Sequence, residues 1–253
     1  MAIHKTEAIV LRTQPFRSSS LIVTLFTRTH GKIKGIAKGV RGEGESRGSL
    51  YELFSRLEII FYEKTRSDLH LLSDAVILEC YDALRTRFDG IYYASYFTDL
   101  VEQLCEIHDP HEKIFDLLDF QFRYLGSVPG DKLAALFEIK LLNEIGWLPH
   151  LGPCDKCSRK VLEHGFFSVR QGVLMCTQCP SRSDEAKFLS AEGVAIIQAY
   201  IRNSLEEALK SVNVGKAAQQ ELRSVMDRFF LERLNRPLKS QIFLQKALQM
   251  API

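Results

Sequence analysis

The sequence predicts a multidomain α+β protein: an N-terminal OB-fold β-barrel, then an α-helical body with a four-cysteine zinc-binding module inserted in it. Three observations carry this. The first 80 residues hold five short runs rich in β-branched and aromatic side chains, with no helical period among them. From about residue 81 apolar residues recur at helical spacing. Cys154-Asp155-Lys156-Cys157 is followed, after eighteen residues, by Cys176-Thr177-Gln178-Cys179.

The five runs are Ala8–Leu11, Leu21–Thr27, Lys32–Lys38, Leu57–Tyr62 and Leu69–Leu72. His30-Gly31-Lys32 supplies a turn, and in the third run Ile33 is expected to face one way and Lys32 and Lys34 the other. Five short strands of this size are commonly closed as an OB-fold barrel, which gives a nucleic-acid-binding domain over residues 1–80.

Residues 81–253 form the helical domain. Phe115, Leu118, Phe122 and Leu125 share a helical stripe, as do Leu133, Phe137, Leu141 and Ile145. Val128-Pro129-Gly130-Asp131 separates the two, with Asp131 expected as N-cap. Ser204-Leu205-Glu206-Glu207 fits a capping box, and Leu222, Val225, Met226, Phe229 and Phe230 mark a helix over 216–234. The cysteine stretch, at about 150–182, interrupts these helices as an insertion.

Two C-x-x-C pairs at this separation have four-thiolate zinc spacing. Each knuckle turns two sulfurs toward one point, and Zn²⁺ accepts four thiolates in a closed tetrahedron. Gly165–Val169 and Val173–Met175, around Arg170-Gln171-Gly172, suggest a hairpin joining the knuckles. Two disulfides are the competing reading, but they need an oxidising compartment, to which nothing in the sequence points. Given Zn²⁺, its role is structural, because four thiolates leave no open position for catalysis. Cys80 and Cys105 sit among apolar neighbours and read as small core residues.

Composition is that of an ordinary soluble protein, 46% hydrophobic and 25% charged. No apolar run is long enough to cross a bilayer, and the N-terminus has no secretory pattern, so the expected location is cytoplasmic. The net charge of +2 conceals an asymmetry: +3 over residues 1–80, −6 over 81–153, +1 over 154–201 and +4 over 202–253. Two basic ends around an acidic middle hint at a polyanionic partner.

The most suggestive functional stretch is residues 28–47, which hold Arg28, Lys32, Lys34, Lys38, Arg41 and Arg47 against only Glu43 and Glu45. Interleaved glycines keep the loop mobile, and its long cationic side chains can reach several phosphates. The plainer alternative is a loop kept soluble by its charges. Phe16 and Tyr51 could stack on bases, with a core role favoured for each. Enzyme motifs fail one by one. Gly39 and Gly44 are followed by Glu45, so no phosphate-cradling loop forms. There is no H-E-x-x-H and no G-x-S-x-G. Pro153-Cys154-x-x-Cys157 matches half of a zinc-deaminase signature, but no His is followed by Glu two positions on. The chain does not read as an enzyme.

Several segments together resemble the bacterial RecO family of recombination mediators. They are Glu7–Arg12 with Leu21–Phe26, Lys38-Gly39-Val40-Arg41, Gly146-Trp147-Leu148-Pro149 leading into Cys154, and Arg236-Pro237-Leu238-Lys239-Ser240. The resemblance spans essentially the whole chain, with one departure: Ser158 follows the first knuckle where a glycine is usual. It implies an OB-fold, a helical body and one structural Zn²⁺ on Cys154, Cys157, Cys176 and Cys179. It also implies binding of single- and double-stranded DNA, annealing of complementary strands, and work with RecR to load RecA onto DNA coated by single-strand-binding protein. RecF is a further possible partner, and the acidic tail of single-strand-binding protein is expected to find an apolar groove. The motif carries DNA contact onto Lys38 and Arg41; charge and position extend it to Lys34, Arg47, Arg12 and Arg17.

Two other readings remain open from the residues: an RNA-binding protein of translation or transcription, and an adaptor that binds proteins only, through its acidic helical middle. The basic C-terminal segment, Arg228 to Lys246, is either a second DNA surface or, more simply, a solvated helix face.

Overall fold

The computed structural model describes all residues except 1, 42–45, 87, 149, 162–163, 180–185 and 251–253, and for 46–48, 85–86, 88 and 250 the backbone alone. The chain divides into two compact units, Met1–Ser127 and Val128–Ile253.

The first unit is built on a closed five-stranded barrel. Its strands are β1 (Ile3–Phe16), β2 (Ser20–Thr27), β3 (Gly31–Ala37), β4 (Arg56–Tyr62) and β5 (Leu69–Glu79). They close in the order β1-β2-β3-β5-β4, with only the β3–β5 pair parallel. Each expected run falls within or overlaps one strand, as the OB-fold reading requires. β1 is much longer than its apolar run. Its first half pairs with β4, its whole length from Ala8 pairs with β2, and a register shift between Val10 and Arg12 lets it bend from one neighbour to the other. Ala8, Val10, Val23, Leu25, Ile33, Leu57, Ile59 and Phe61 fill the barrel.

Helices α1 (Asp82–Thr86), α2 (Phe88–Leu104) and α3 (Glu112–Tyr124) complete this unit. They explain why the outward-facing Ile9, Leu11 and Phe26 are buried as well. The same cover corrects one expectation. Lys32 does not share solvent with Lys34: it is buried, its Nζ donates to the carbonyl of Glu102, and burial lowers its pKa. The cause is the chain just after α2, where Ile107 bridges to Lys32 and the His108 N–H bonds the Lys32 carbonyl at 3.0 Å.

The second unit contains α4 (Gly130–Glu144), the strands β6 (Gly165–Ser168), β7 (Val173–Cys176) and β8 (Ala186–Leu189), and the helices α5 (Ala191–Arg202), α6 (Leu205–Ser211), α7 (Lys216–Leu234) and α8 (Lys239–Met250). The capping box of α6 forms as read: Ser204 Oγ accepts from the Glu207 N–H, and the Glu207 carboxylate accepts from the Ser204 N–H. Asp131 is not an N-cap. Pro129 holds that position, and Asp131 lies in the first turn, where its charge still complements the helix dipole. The sheet order is β7-β6-β8. The β6–β7 hairpin was legible; β8, four residues long and without apolar alternation, was not. Phe167 points from β6 onto Phe229 of α7, ring centres 6.1 Å apart, so the cysteine module is seated on the helical core of its own unit.

Candidate nucleic-acid interface and metal centre

Strand register gathers the cations that sequence reasoning singled out. Arg12 pairs with Thr24, and Thr24 pairs with Lys34, so the three share one row on the outer face. Two strand spacings separate Arg12 from Lys34, roughly 10 Å. Both are exposed, whereas Lys32, two residues before Lys34, is covered. The row therefore lies where the helical cover stops. Farther along, the β1–β2 turn carries Arg17 and the chain leaving β3 carries Lys38 and Arg41, all exposed. These two segments are tied together, because the Arg41 N–H donates to the Ser19 carbonyl at 3.0 Å. Between Lys38 and Arg41, Gly39 has φ +69°, a conformation that favours glycine.

Among the described residues, Lys34, Lys38, Arg41 and Arg17 have no acidic partner, while Arg12 approaches Glu102 at 3.6 Å. Arg17 instead lies over the half-buried ring of Phe16, 5.3 Å from its centre. Arg47 belongs to a 3₁₀ turn over Ser46–Tyr51, and its side chain lies outside the described residues, as do Glu43 and Glu45. Tyr51 is a core residue, 4% exposed, with burial pushing its hydroxyl up to about 12, so it cannot stack on a base.

Not every cation of the 28–47 stretch is free for a ligand. Arg28 Nη1 meets Glu112 at 2.8 Å and Asp116 at 2.9 Å, and Arg56 Nη1 meets Asp119 at 3.4 Å. The acidic residues of α3 thus neutralise arginines of the barrel. Part of the charge asymmetry in the sequence is thus an internal contact of this unit.

The four cysteines converge. Their Sγ atoms all lie within 4.8 Å of one another, and Cys157 Sγ stands 3.7 Å from Cys176 Sγ. A tetrahedron of 2.3 Å Zn–S bonds has S···S edges of roughly 3.8 Å. All four are free thiols, so the disulfide alternative is not what the fold contains. Backbone geometry builds the pocket. The Ser158 N–H bonds the Cys154 carbonyl at 2.8 Å, the Cys154 N–H bonds the Arg159 carbonyl at 2.7 Å, and the Cys179 N–H bonds the Cys176 carbonyl at 3.1 Å. Burial opposes ionisation of Cys154, but backbone N–H groups of Cys176, Cys157 and Lys156 outweigh it and bring the thiol down to about 6. Cys179 is pushed the other way, to about 12, first by its contact with Cys157 and then by burial. Crowded sulfurs that cannot all ionise alone are a cluster capable of binding a metal ion. Cys105 is buried as expected, and burial raises its thiol to about 12; Cys80 is only half-buried.

Two features escaped sequence reasoning. One is a groove of about 870 Å³ between α4, α7 and α8, lined by Ala134, Arg223, Leu231, Ile242 and Leu248 among others. The other is a histidine cluster at the end of the barrel away from Lys38, whose members are scattered at positions 4, 30, 70 and 108. No spacing rule could have linked them, because strand pairing and the chain after α2 together bring them to one place.

Comparison with known proteins agrees with this architecture. The domain family described as Recombination protein O N terminal matches residues 1–81, and Recombination protein O C terminal matches residues 85–242. The DNA repair protein RecO of Bacillus pumilus is 30% identical over 244 residues, covering 96% of this chain and 93% of its own. The DNA repair protein RecO of Pelotomaculum thermopropionicum is 28% identical over 246 residues, covering 97% and 95%. That of Anaeromyxobacter dehalogenans is 29% identical over 247 residues, covering 96% of each. A closed five-stranded barrel, a helical body with a four-cysteine cluster, and relatives that match nearly end to end make this chain a member of the RecO family of DNA repair and recombination proteins.

Proposed function

We propose that this protein is a non-catalytic recombination mediator that binds single- and double-stranded DNA through the basic end of its barrel. In this reading it anneals complementary strands and, with RecR, helps load RecA onto DNA coated by single-strand-binding protein. The observation that carries this reading is the grouping of Arg12, Lys34, Arg17, Lys38 and Arg41 beyond the helical cover, where Arg12 alone meets an acidic partner among the described residues. Arg47 joins them through its place in the same loop. Long cationic side chains neutralise successive phosphates and release counterions, which reduces the repulsion between two strands brought together. Phe16, half-buried beneath Arg17, offers a ring edge for a base.

Zn²⁺ in this reading is held by Cys154, Cys157, Cys176 and Cys179. It supplies no reaction chemistry; it fixes the two knuckles against β7, where the Asp155 N–H bonds the Leu174 carbonyl at 3.3 Å. RecF and the acidic tail of single-strand-binding protein belong to the same proposal as partners. The test is strand annealing on DNA precoated with single-strand-binding protein, comparing the wild-type chain with a Lys38→Glu/Arg41→Glu variant. Loss of annealing and of DNA affinity in the variant supports the reading. Unchanged affinity, or tighter binding of matched RNA than of DNA, overturns it.

A further inference from the structure

Trp147 is the only tryptophan in the chain, and the fold leaves it 40% exposed. Its position is fixed by the backbone. Gly146, at φ +72°, ends α4, and the Trp147 N–H turns back to the Leu142 carbonyl at 2.8 Å. The chain beyond it is fastened to the β6–β7 turn. The His150 N–H donates to the Gly172 carbonyl at 2.8 Å, and the Leu174 N–H donates to the His150 carbonyl at 3.1 Å. That turn carries Arg170, which is exposed. A ring held this firmly loses little entropy when a ligand covers it.

The end of α7 supplies the third wall. The Arg233 guanidinium lies 5.1 Å from the ring centre of Phe229 and 6.0 Å from that of Trp147. Gly172 closes another side, where an added Cβ would stand 3.1 Å from Arg233 Nη2. Arg233 is therefore packed against two rings and a turn, with its charge already in place. Together with Arg170, Glu232 and Asn235 it lines a hollow of about 280 Å³. Glu232 is engaged by Arg228 at 2.8 Å, and Arg170 and Arg233 have no acidic partner among the described residues. The hollow thus keeps an excess of positive charge. It is smaller than the roughly 300–1,000 Å³ of small-molecule sites, which suits a single anionic group such as a phosphate.

We propose that Trp147, Arg170 and Arg233 form a second DNA contact, carried by the second unit and selective for unpaired single strands. A base stacks on Trp147, and an adjoining phosphate enters the hollow between the two arginines. This surface extends the DNA-binding reading above, on which it rests, by distinguishing one kind of strand from another. A duplex keeps its bases stacked on one another and offers the ring no free face, so only its phosphates are held here. An acidic peptide would satisfy the arginines but brings no planar group at each residue to cover the ring. The charge of residues 202–253, +4, favours the polyanion.

Because Trp147 is the only tryptophan, its fluorescence reports on this ring alone. The full chain is titrated with oligo-dT and with a duplex of equal length, and DNA anisotropy is read on the same samples. Oligo-dT is expected to quench the emission saturably, and the duplex to bind with little quenching. Trp147→Ala should weaken oligo-dT binding by about 5–150-fold, the equivalent of one stacked base, and leave duplex affinity nearly unchanged. Arg170→Ala/Arg233→Ala keeps the fluorophore and should reduce the quenching. It should also lower the slope of log affinity against log salt by about 1.4, two single-strand phosphates at about 0.7 each. Circular dichroism establishes that each variant folds. Quenching that persists in Lys38→Glu/Arg41→Glu supports a surface separate from the barrel, and its loss there counts against one. Emission unmoved by oligo-dT that anisotropy shows to be bound would overturn this contact and leave the barrel reading standing. Equal quenching by the duplex or by polyglutamate would overturn it too. If neither DNA binds, both readings fail together.

Discussion

Arg28 holds Asp116 at 2.9 Å and Glu112 at 2.8 Å while its guanidinium lies 4.4 Å from the ring centre of Phe115, so one residue at the end of β2 grips three positions on α3. Its pKa rises although burial opposes charge, because Glu112, Asp116 and Glu7 surround it. Arg28→Ala removes these interactions and leaves the acidic groups of α3 uncompensated. Partly exposed ion pairs contribute up to about 1 kcal/mol each and a cation–π interaction about 0.5–1 kcal/mol. A loss of about 1–2 kcal/mol in urea unfolding, with DNA affinity nearly unchanged, is the expected result. A large loss of affinity without loss of stability would move Arg28 into the binding surface.

Lys38 and Arg41 should behave in the opposite way. Each is exposed and without an acidic partner among the described residues. Lys38→Ala/Arg41→Ala should leave unfolding within about 0.5 kcal/mol of wild type, as surface substitutions usually do. It should weaken DNA binding and lower the slope of log affinity against log salt by about 2, close to one for each phosphate that no longer has a cation beside it. Fluorescence anisotropy across a salt series measures both quantities at once. An unchanged slope would mean that the phosphates are held elsewhere.

This contrast marks where the sequence could be read and where it could not. The barrel was legible because strand-forming residues cluster between turn signals, and the cysteines because C-x-x-C spacing is chemically specific. The six cations of residues 28–47 looked alike as letters. Only the packing of α2 and α3 separates Arg28 and Lys32, which serve the fold, from Lys34, Lys38 and Arg41, which do not. The acidic middle invited a basic protein partner, yet Glu112, Asp116 and Asp119 already have arginines from sequence positions more than fifty residues away. The histidine cluster was invisible for the same reason: its members come from separate strands and turns that meet only in the fold.

The cysteine centre should fail as a structural element before it fails as anything else. Cys154 is 1% exposed, and Phe167 and Leu174, at 1% each, lie on the hairpin joining the knuckles. Cys154→Ser, or a strong chelator, should lower the melting temperature of the second unit, because binding energy of a metal that forms only in the folded state is folding energy. DNA affinity should fall only as far as folding does. Zinc content, melting and anisotropy measured on one sample decide it. Lost DNA binding with zinc and melting intact would give the cysteines a direct role.

Ser158 offers a finer test of the same knuckle. It stands at φ +56°, in the left-handed region, where its N–H turns back to the Cys154 carbonyl. A side chain there costs on the order of 1 kcal/mol relative to glycine. Ser158→Gly should therefore raise the melting temperature by a few degrees and slow loss of metal to a chelator. A lower melting temperature would mean that the serine hydroxyl contributes something the backbone geometry does not reveal.

The histidines also make the barrel acid-sensitive, with a sign that can be fixed. His70 is 2% exposed, accepts from the Lys64 N–H at 3.2 Å, and packs between Phe61 and His108. Burial first, and then His108, lower its pKa from the ordinary 6.5, with Glu63 and Asp68 opposing. His30 is lowered from 6.5 as well, by burial and then His4. Neutral imidazoles are thus the folded form, and below pH 6.5 the unfolded chain takes up protons that the folded chain resists. Stability should be flat above that pH and decline as the pH falls toward the lowered folded-state values. Urea unfolding at closely spaced pH values measures this decline. Replacing His70 with Gln should cost stability at every pH yet make the acid limb shallower, because one titrating group is gone. An acid limb as steep in that variant as in the wild type would show that the carboxylates on α3, and not the histidines, carry the effect.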